Sequence, residues 1–193
     1  YRLYRNLEHQ LQSPTEKEIR RWDELCQHGR FLGLFGLDEH SLPFQKYFLK
    51  GELFGLERSF ALVKVYLNLK ADDLKRSDAT TRILGVLRRG DYFMVMENSG
   101  DATGFTMEIA TKDRVLKLGD VGLLTEQCRL RISLPRRGAV RVLKDGKMVA
   151  FSGGQDIEIA LNSPGCYRVE VYRGGRPWIF TNPIWLESGD ESK

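Results

Sequence analysis

CYRVEVYRGGRPWIF, residues 166–180, reads as two short strands joined by a turn. Tyr167, Val169 and Val171 alternate with Arg168 and Glu170, which is the period of a strand with one face on a core. Gly174-Gly175 then supplies the positive φ angles that a two-residue hairpin turn requires, and a second apolar run follows.

The same texture holds on both sides of this stretch, from about residue 92 onward. The segments YFMVME, GFTMEIAT, RVLKLG, CRLRISLP, AVRVLKDGKMVAF, DIEIAL and NPIWLE are short and alternating, and Asp145-Gly146 marks another hairpin. Roughly seven strands in about 100 residues predict an antiparallel β-sandwich. NSPGCYRVEV sharpens this reading. A tyrosine at the start of an inward-alternating strand, just after a Pro-Gly corner, is how immunoglobulin-like sandwiches place a tyrosine corner. The glycine-rich FSGGQD (151–156) is expected to be a loop, since no helix follows and no Lys-Ser/Thr pair completes a phosphate cradle.

Upstream of residue 92 the pattern changes to helix and buried strand. Residues 13–29 predict a helix with Ser13 as N-cap, Pro14 at the first helical position and Glu16 closing a capping box. Ile19, Trp22 and Leu25-Cys26 form its apolar stripe, and Gly29 is the expected terminator. RFLGLFGL (30–37) has no alternation and predicts a strand buried on both faces. ALVKVYLNL (61–69) reads as a further strand. SDATTRILGVLRRGDY (77–92) reads as a second helix, capped by Ser77 or Asp78, apolar at Ile83, Leu84 and Leu87, and ended by Gly90. The fold class is therefore α+β. A partial α/β unit over 1–91 precedes an antiparallel immunoglobulin-like β-sandwich over 92–188, and a tail over 189–193 is expected to be disordered.

Bulk properties narrow the function. The chain has 193 residues, 41% of them hydrophobic, and 30 basic against 26 acidic side chains give a net charge of +4. That excess is scattered in pairs such as Arg20-Arg21, Arg88-Arg89 and Arg136-Arg137, whereas a nucleic-acid groove needs a longer basic stripe with exposed aromatics. No apolar stretch approaches the roughly 20 residues that span a bilayer. Neither nucleic acid nor membrane is expected as a partner, and the compartment is left open. Cys26, Cys128 and Cys166 make neither a disulfide framework nor a zinc spacing. By strand parity Cys128 points inward and Cys166 outward, so free thiols are expected.

Asp38-Glu39-His40 follows the apolar run directly, at the carboxyl end of a predicted strand, where α/β folds gather ligands. A carboxylate and an imidazole two residues apart are metal donors, although an ordinary strand end looks the same. Glu39 is read as a solvated charge. His28 suits a helix C-terminus as a cation, and His9 suits the surface. Trp22, Trp178 and Trp185 are read as packing residues rather than a ligand platform.

The order of these features resembles a known family. A capped helix with RRWDELCQHGR leads to a strand ending in Asp-x-His. ILGVLRRGDYFMV and then PGCYRVEVYRGGRPWIFTNPIWL follow. This resembles the C-terminal half of metallohydrolases of the polymerase and histidinol phosphatase (PHP) superfamily, especially the branch related to carbaryl hydrolases. The resemblance implies a distorted seven-fold β/α barrel whose metal site of His, Asp and Glu holds divalent ions (Zn, Mn or Fe), with Asp38 and His40 as ligands. Two departures stand out. Leu37 and Glu39 replace the small residue and the Ala that flank the family's Asp, and the early His-x-His and the middle His and Glu ligands have no counterpart. His9 and His28, the other two of three histidines, match no family motif.

The chain is thus expected to be the last portion of a hydrolase that cleaves a small phosphate or related ester with metal-activated water, and to be inactive by itself. Residues 13–40 would then carry an open barrel edge and an apolar helix face, covered by the sandwich, by self-association or by a companion chain. The alternative is a non-catalytic β-sandwich that binds or interacts.

Overall fold

Helix α1 (Glu16–His28) begins where the sequence offers two overlapping capping boxes, Ser13-x-x-Glu16 and Thr15-x-x-Glu18. The second one forms in the computed structural model, which describes residues 14–36, 42–46, 49–53 and 60–189. The Thr15 hydroxyl accepts from the Glu18 N–H, and the Glu18 carboxylate accepts from the Thr15 N–H at 2.8 Å. The helix starts two residues later than the Ser13 reading placed it. Gly29 ends it in an extended conformation rather than a left-handed one.

Residues 30–36 depart from expectation: they join no sheet, and Phe31 and Leu34 are 43% and 63% exposed. Their backbone groups are taken by side chains instead of a ladder, which is why an apolar run gives no strand here. Beyond them, β1 (Leu42–Lys46) and β2 (Leu49–Leu53) form an antiparallel hairpin of their own.

The remaining strands build one open ten-stranded sheet that is antiparallel throughout except for one pair. β3 (Val63–Leu67) forms one edge and pairs with β4 (Tyr92–Met96). Between them lies helix α2 (Ala79–Arg89), ended by Gly90 at φ 75°, as its sequence predicts. Asp78 stands at its N-cap position, but its carboxylate turns to Arg76 and Arg82. The buried side of α2 is Val86 with Ile83 and Leu87 beside it, whereas Leu84 faces solvent.

β4 pairs with β11 (Arg176–Thr181), β11 with β10 (Gly165–Arg173), and β10 with the second half of β8 (Arg129–Lys144). The first half of β8 pairs instead with β5 (Thr106–Ala110), which carries the short β6 (Val115–Leu116). β8 changes partner at an irregularity between Ser133 and Gly138, so one strand of 16 residues serves both parts of the sheet. β9 (Lys147–Ala160) follows β8 along its whole length. FSGGQD is therefore strand, not loop, because the ladder carries the backbone through its glycines. β12 (Ile184–Glu187) pairs with β10 and, in parallel, with β7 (Val121–Leu123).

Asp145-Gly146 and Gly174-Gly175 all have positive φ, as two-residue hairpin turns require. The inner faces of β4, β5, β8, β10, β11 and β12 share one buried cluster that includes Val95, Ile109, Leu130, Val142, Val169 and Trp178. A mixed α+β architecture with a mostly antiparallel sheet enclosing its own core is consistent with a β-sandwich. β4 is buried on both sides. Its other face, Tyr92, Met94 and Met96, joins Phe180 beneath Ile19 and Trp22 of α1, Phe35 and Leu87. Among the described residues no helix is long and apolar enough to cross a membrane.

Tyr167 makes the bond its position in NSPGCY predicts. Its hydroxyl donates to the carbonyl of Ser163, four residues upstream, at 2.7 Å. Burial is the main influence holding this phenol above its usual pKa, so it stays a donor. Tyr167→Phe leaves that carbonyl without its donor in a buried corner and is expected to cost about 1–3 kcal/mol, read as a lower denaturant midpoint at unchanged slope.

Candidate functional site

Asp38 and His40, with Glu39 between them, lie outside the described residues, as does His9. What the structure does place is the chain that leads to them. Arg30 reaches back to donate through Nε to the Gly119 carbonyl at 2.8 Å and through a terminal nitrogen to the Arg89 carbonyl. The Phe31 carbonyl accepts from both Trp22 Nε1 and Cys26 Sγ, each at 3.1 Å. The N–H of Gly33 donates to Asn182 Oδ1 at 2.8 Å. Asn182 is fully buried, and its amide nitrogen bridges the carbonyls of Gly90 and Tyr92. Phe35 closes the segment against the ring of Phe180, centroids 5.3 Å apart.

Gly33 is where this docking demands a glycine. A Cβ there would stand 2.6 Å from the Trp22 ring, well inside contact distance. Residues 30–36 are thus clasped between α1 and the closing TNPIW stretch, and Phe35 is the last anchored side chain among the described residues that precede Asp38.

The helix that holds this clasp is itself held by buried charge. Arg168 was expected to face water from the outer side of β10, with Cys166 and Glu170. All three are buried, because α1 covers that face. Arg168 donates through Nε and a terminal nitrogen to both oxygens of Asp23, at 2.5 and 2.7 Å, and its other terminal nitrogen reaches Glu170 at 2.7 Å. Its guanidinium also lies 5.2 Å from the Trp22 ring centroid. Burial works against the Arg168 charge, but hydrogen bonding and charge from Asp23, with Glu170 behind it, outweigh that and raise its pKa.

The second oxygen of Glu170 accepts from the Tyr172 hydroxyl, and Arg141 stacks over the Tyr172 ring at 4.4 Å. Burial, then the Glu170 charge, pushes the Tyr172 phenol up. Every oxygen of Asp23 and Glu170 therefore has a donor. A cleft of about 530 Å³ opens alongside, lined by Arg20, Glu24, Arg141, Lys147 and Tyr172 among others.

A second titratable cluster sits at the β3 edge. The Tyr66 hydroxyl donates to Glu97 and to Asp101, and Lys64 pairs with Glu97 at 3.3 Å. Burial and the two carboxylates drive the Tyr66 phenol upward, while bonding from the Thr103 N–H draws Asp101 down. A phenol held protonated donates a hydrogen bond and does not act as a nucleophile.

Among the described residues no group of three or more His, Cys, Asp or Glu could hold a metal ion. His28 sits exposed in the last turn of α1, as its sequence suggests. Trp22, Trp178 and Trp185 all pack, and each indole N–H donates to a backbone carbonyl. No family model, curated protein or solved structure matches the chain.

Sequence reasoning missed the Asp23–Arg168–Glu170 trio, although one signal for it existed. Asp23 is four residues after Ile19 and three before Cys26, which places a carboxylate on the apolar stripe of α1. A buried acid there implies a buried base opposite. Arg168→Gln leaves two buried carboxylates without their cation and is expected to destabilise the fold by about 3–5 kcal/mol in chemical denaturation. The triple replacement Asp23→Leu, Arg168→Met, Glu170→Leu should recover most of that loss.

Proposed function

We propose that the chain is the C-terminal part of a metal-dependent hydrolase, in which the sheet domain is a rigid seat for the segment carrying Asp38 and His40. The observation that supports this most is the clasp. A buried asparagine, an arginine that donates to two backbone carbonyls and a ring pair all fasten residues 30–35, and Asp38 lies three residues beyond Phe35. Seating of this kind fits a metal-ligand segment, since ligands must be held by surroundings that fix their geometry.

Asp38 and His40 supply an oxygen and a nitrogen donor, which suit a divalent Zn, Mn or Fe ion. Two donors fall short of the three protein ligands that a catalytic site needs, and the described residues offer no group that would supply the rest. Such an ion, when bound, would polarise a small phosphate or related ester and acidify a water. This chain's own part is to position two ligands.

The sheet domain is read as immunoglobulin-like, on the strength of the Tyr167–Ser163 corner. Phe31 and Leu34, left exposed on the clasp, fit a surface that the missing barrel, a second copy or a companion chain would cover. A second reading, a non-catalytic binding module, is favoured by one observation. Met148, Val149 and Phe151 stand exposed on β9, which pairs only with β8 among the described strands.

The test is metal analysis and an ester-hydrolysis assay on the intact parent, with Asp38→Ala beside it. The substitution is expected to lower metal affinity by roughly tenfold or more and to abolish hydrolysis with the fold intact. Unchanged metal content and activity would remove Asp38 from the site and favour the binding module.

A further inference from the structure

A second cavity, of about 580 Å³, opens where β8, β9 and the β10–β11 hairpin meet. Arg137, Arg141, Arg173, Phe151 and Tyr172 wall it, and the rest of its lining is glycine and Ala139. No carboxylate stands among the described residues that line it, so its charge is positive only. The volume is that of a small-molecule site.

The ladder explains the shape. Gly153 of β9, Ala139 of β8 and Tyr172 of β10 lie in one cross-strand row, and Phe151, Arg141 and Glu170 lie in the next. Val140 and Val142, on either side of Arg141, point into the main core, so both rows face the other way. Neighbouring strands stand about 4.8 Å apart, so Gly153 and Ala139 make a floor about 10 Å across beside Tyr172, the width of one flat ring. Phe151, 63% exposed, borders that floor.

The fold does not demand a glycine at 153. Its φ is not positive, its register with Ala139 is regular, and a Cβ there would meet only the Gly138 carbonyl, at 4.0 Å. A glycine inside a strand weakens it, and where neither a bulge nor packing accounts for it, the position marks a close approach by a ligand.

Two of the three arginines keep their charge available. Arg173 is tied down, donating to the Ser99 carbonyl at 2.9 Å and lying over the Trp178 ring. Arg141 rests on the Tyr172 ring, and Arg137 is exposed. The carboxylate opposite Arg141, Glu170, already accepts from Arg168 and Tyr172.

We propose that this pocket binds a small aromatic phosphate ester. Its ring lies flat on Gly153 and Ala139 beside Tyr172 and Phe151, and Arg137 and Arg141 meet its phosphate. A phosphate monoester carries nearly two negative charges at neutral pH, which two arginines match, and the planar guanidinium fork suits phosphate oxygens. The proposal does not rest on the hydrolase reading, because no residue of the 30–36 clasp lines the pocket.

The experiment titrates the full chain with phenyl phosphate, using calorimetry for affinity and amide chemical shifts for location. The expected result is saturable binding with a dissociation constant of about 1 mM or tighter, weakening as salt is added. The amides of Gly153, Gly174 and Gly175 should shift with it. Benzoate, inorganic phosphate and benzyl alcohol should each bind several-fold more weakly. Gly153→Val fills the floor and suits a strand, so Tm should hold or rise while affinity falls roughly tenfold or more. Should that variant fail to fold, Arg137→Gln, a change to an exposed side chain, is expected to show the same loss of affinity. No saturation by phenyl phosphate, shifts away from these glycines, or unchanged affinity in a folded Gly153→Val would each overturn the proposal. Equal binding of inorganic phosphate would mean an adventitious ion only, and equal binding of benzoate or benzyl alcohol would remove the phosphate from the assignment.

Discussion

The two-point bond between Arg168 and Asp23 joins residues 145 apart in sequence and sets where helix α1 lies on the sheet. Both groups are out of water, at 1% and 10% side-chain exposure. Charges so buried contribute little net stability compared with apolar residues of the same volume, but separating them is costly. What they supply is a penalty on every other placement of α1. A helix displaced from this position would leave Arg168 buried with Glu170 alone and Asp23 without its cation.

The remaining contacts of the N-terminal region follow from that placement. With α1 fixed, Trp22 lies over Gly33, its indole N–H meets the Phe31 carbonyl, and the Cys26 carbonyl accepts from Trp185. Asn182 completes the arrangement from the sheet side, tying residue 33 to the end of α2 and the start of β4 with three hydrogen bonds. Helix, clasp and the closing TNPIW stretch therefore form one polar-fastened layer on the outer face of the sheet. The apolar pairing of Phe35 with Phe180 and the burial of Met94 lie beneath it.

Much of this was legible in the sequence, and the failures have physical causes. The alternation in CYRVEV, the turns at Asp145-Gly146 and Gly174-Gly175, the Tyr167 corner and the Gly90 stop are local signals, and local geometry honours them. Alternation cannot say whether a strand's charged face meets water or a partner charge, so Arg168 and Glu170 read as exposed. Glycines in FSGGQD suggest a loop, but the β8–β9 ladder overrides that preference. RFLGLFGL has the composition of a buried strand, yet Asn182, Trp22 and Cys26 satisfy its backbone from the side. Ser13 and Thr15 offer competing caps, and composition alone does not rank them. Asp38 and His40 are read as metal ligands through a family resemblance, and they lie outside the described residues.

Native-state hydrogen exchange tests most directly whether the buried ion pair makes α1 and the sheet one unit. The account predicts that amides of α1 and the Gly33 N–H open at free energies well above those of fraying termini. In Arg168→Gln that protection should fall selectively in residues 16–35, while β4 and β11 keep most of theirs relative to global stability. Free exchange of α1 in the unsubstituted chain, or an Arg168→Gln effect spread evenly over the sheet, would contradict it.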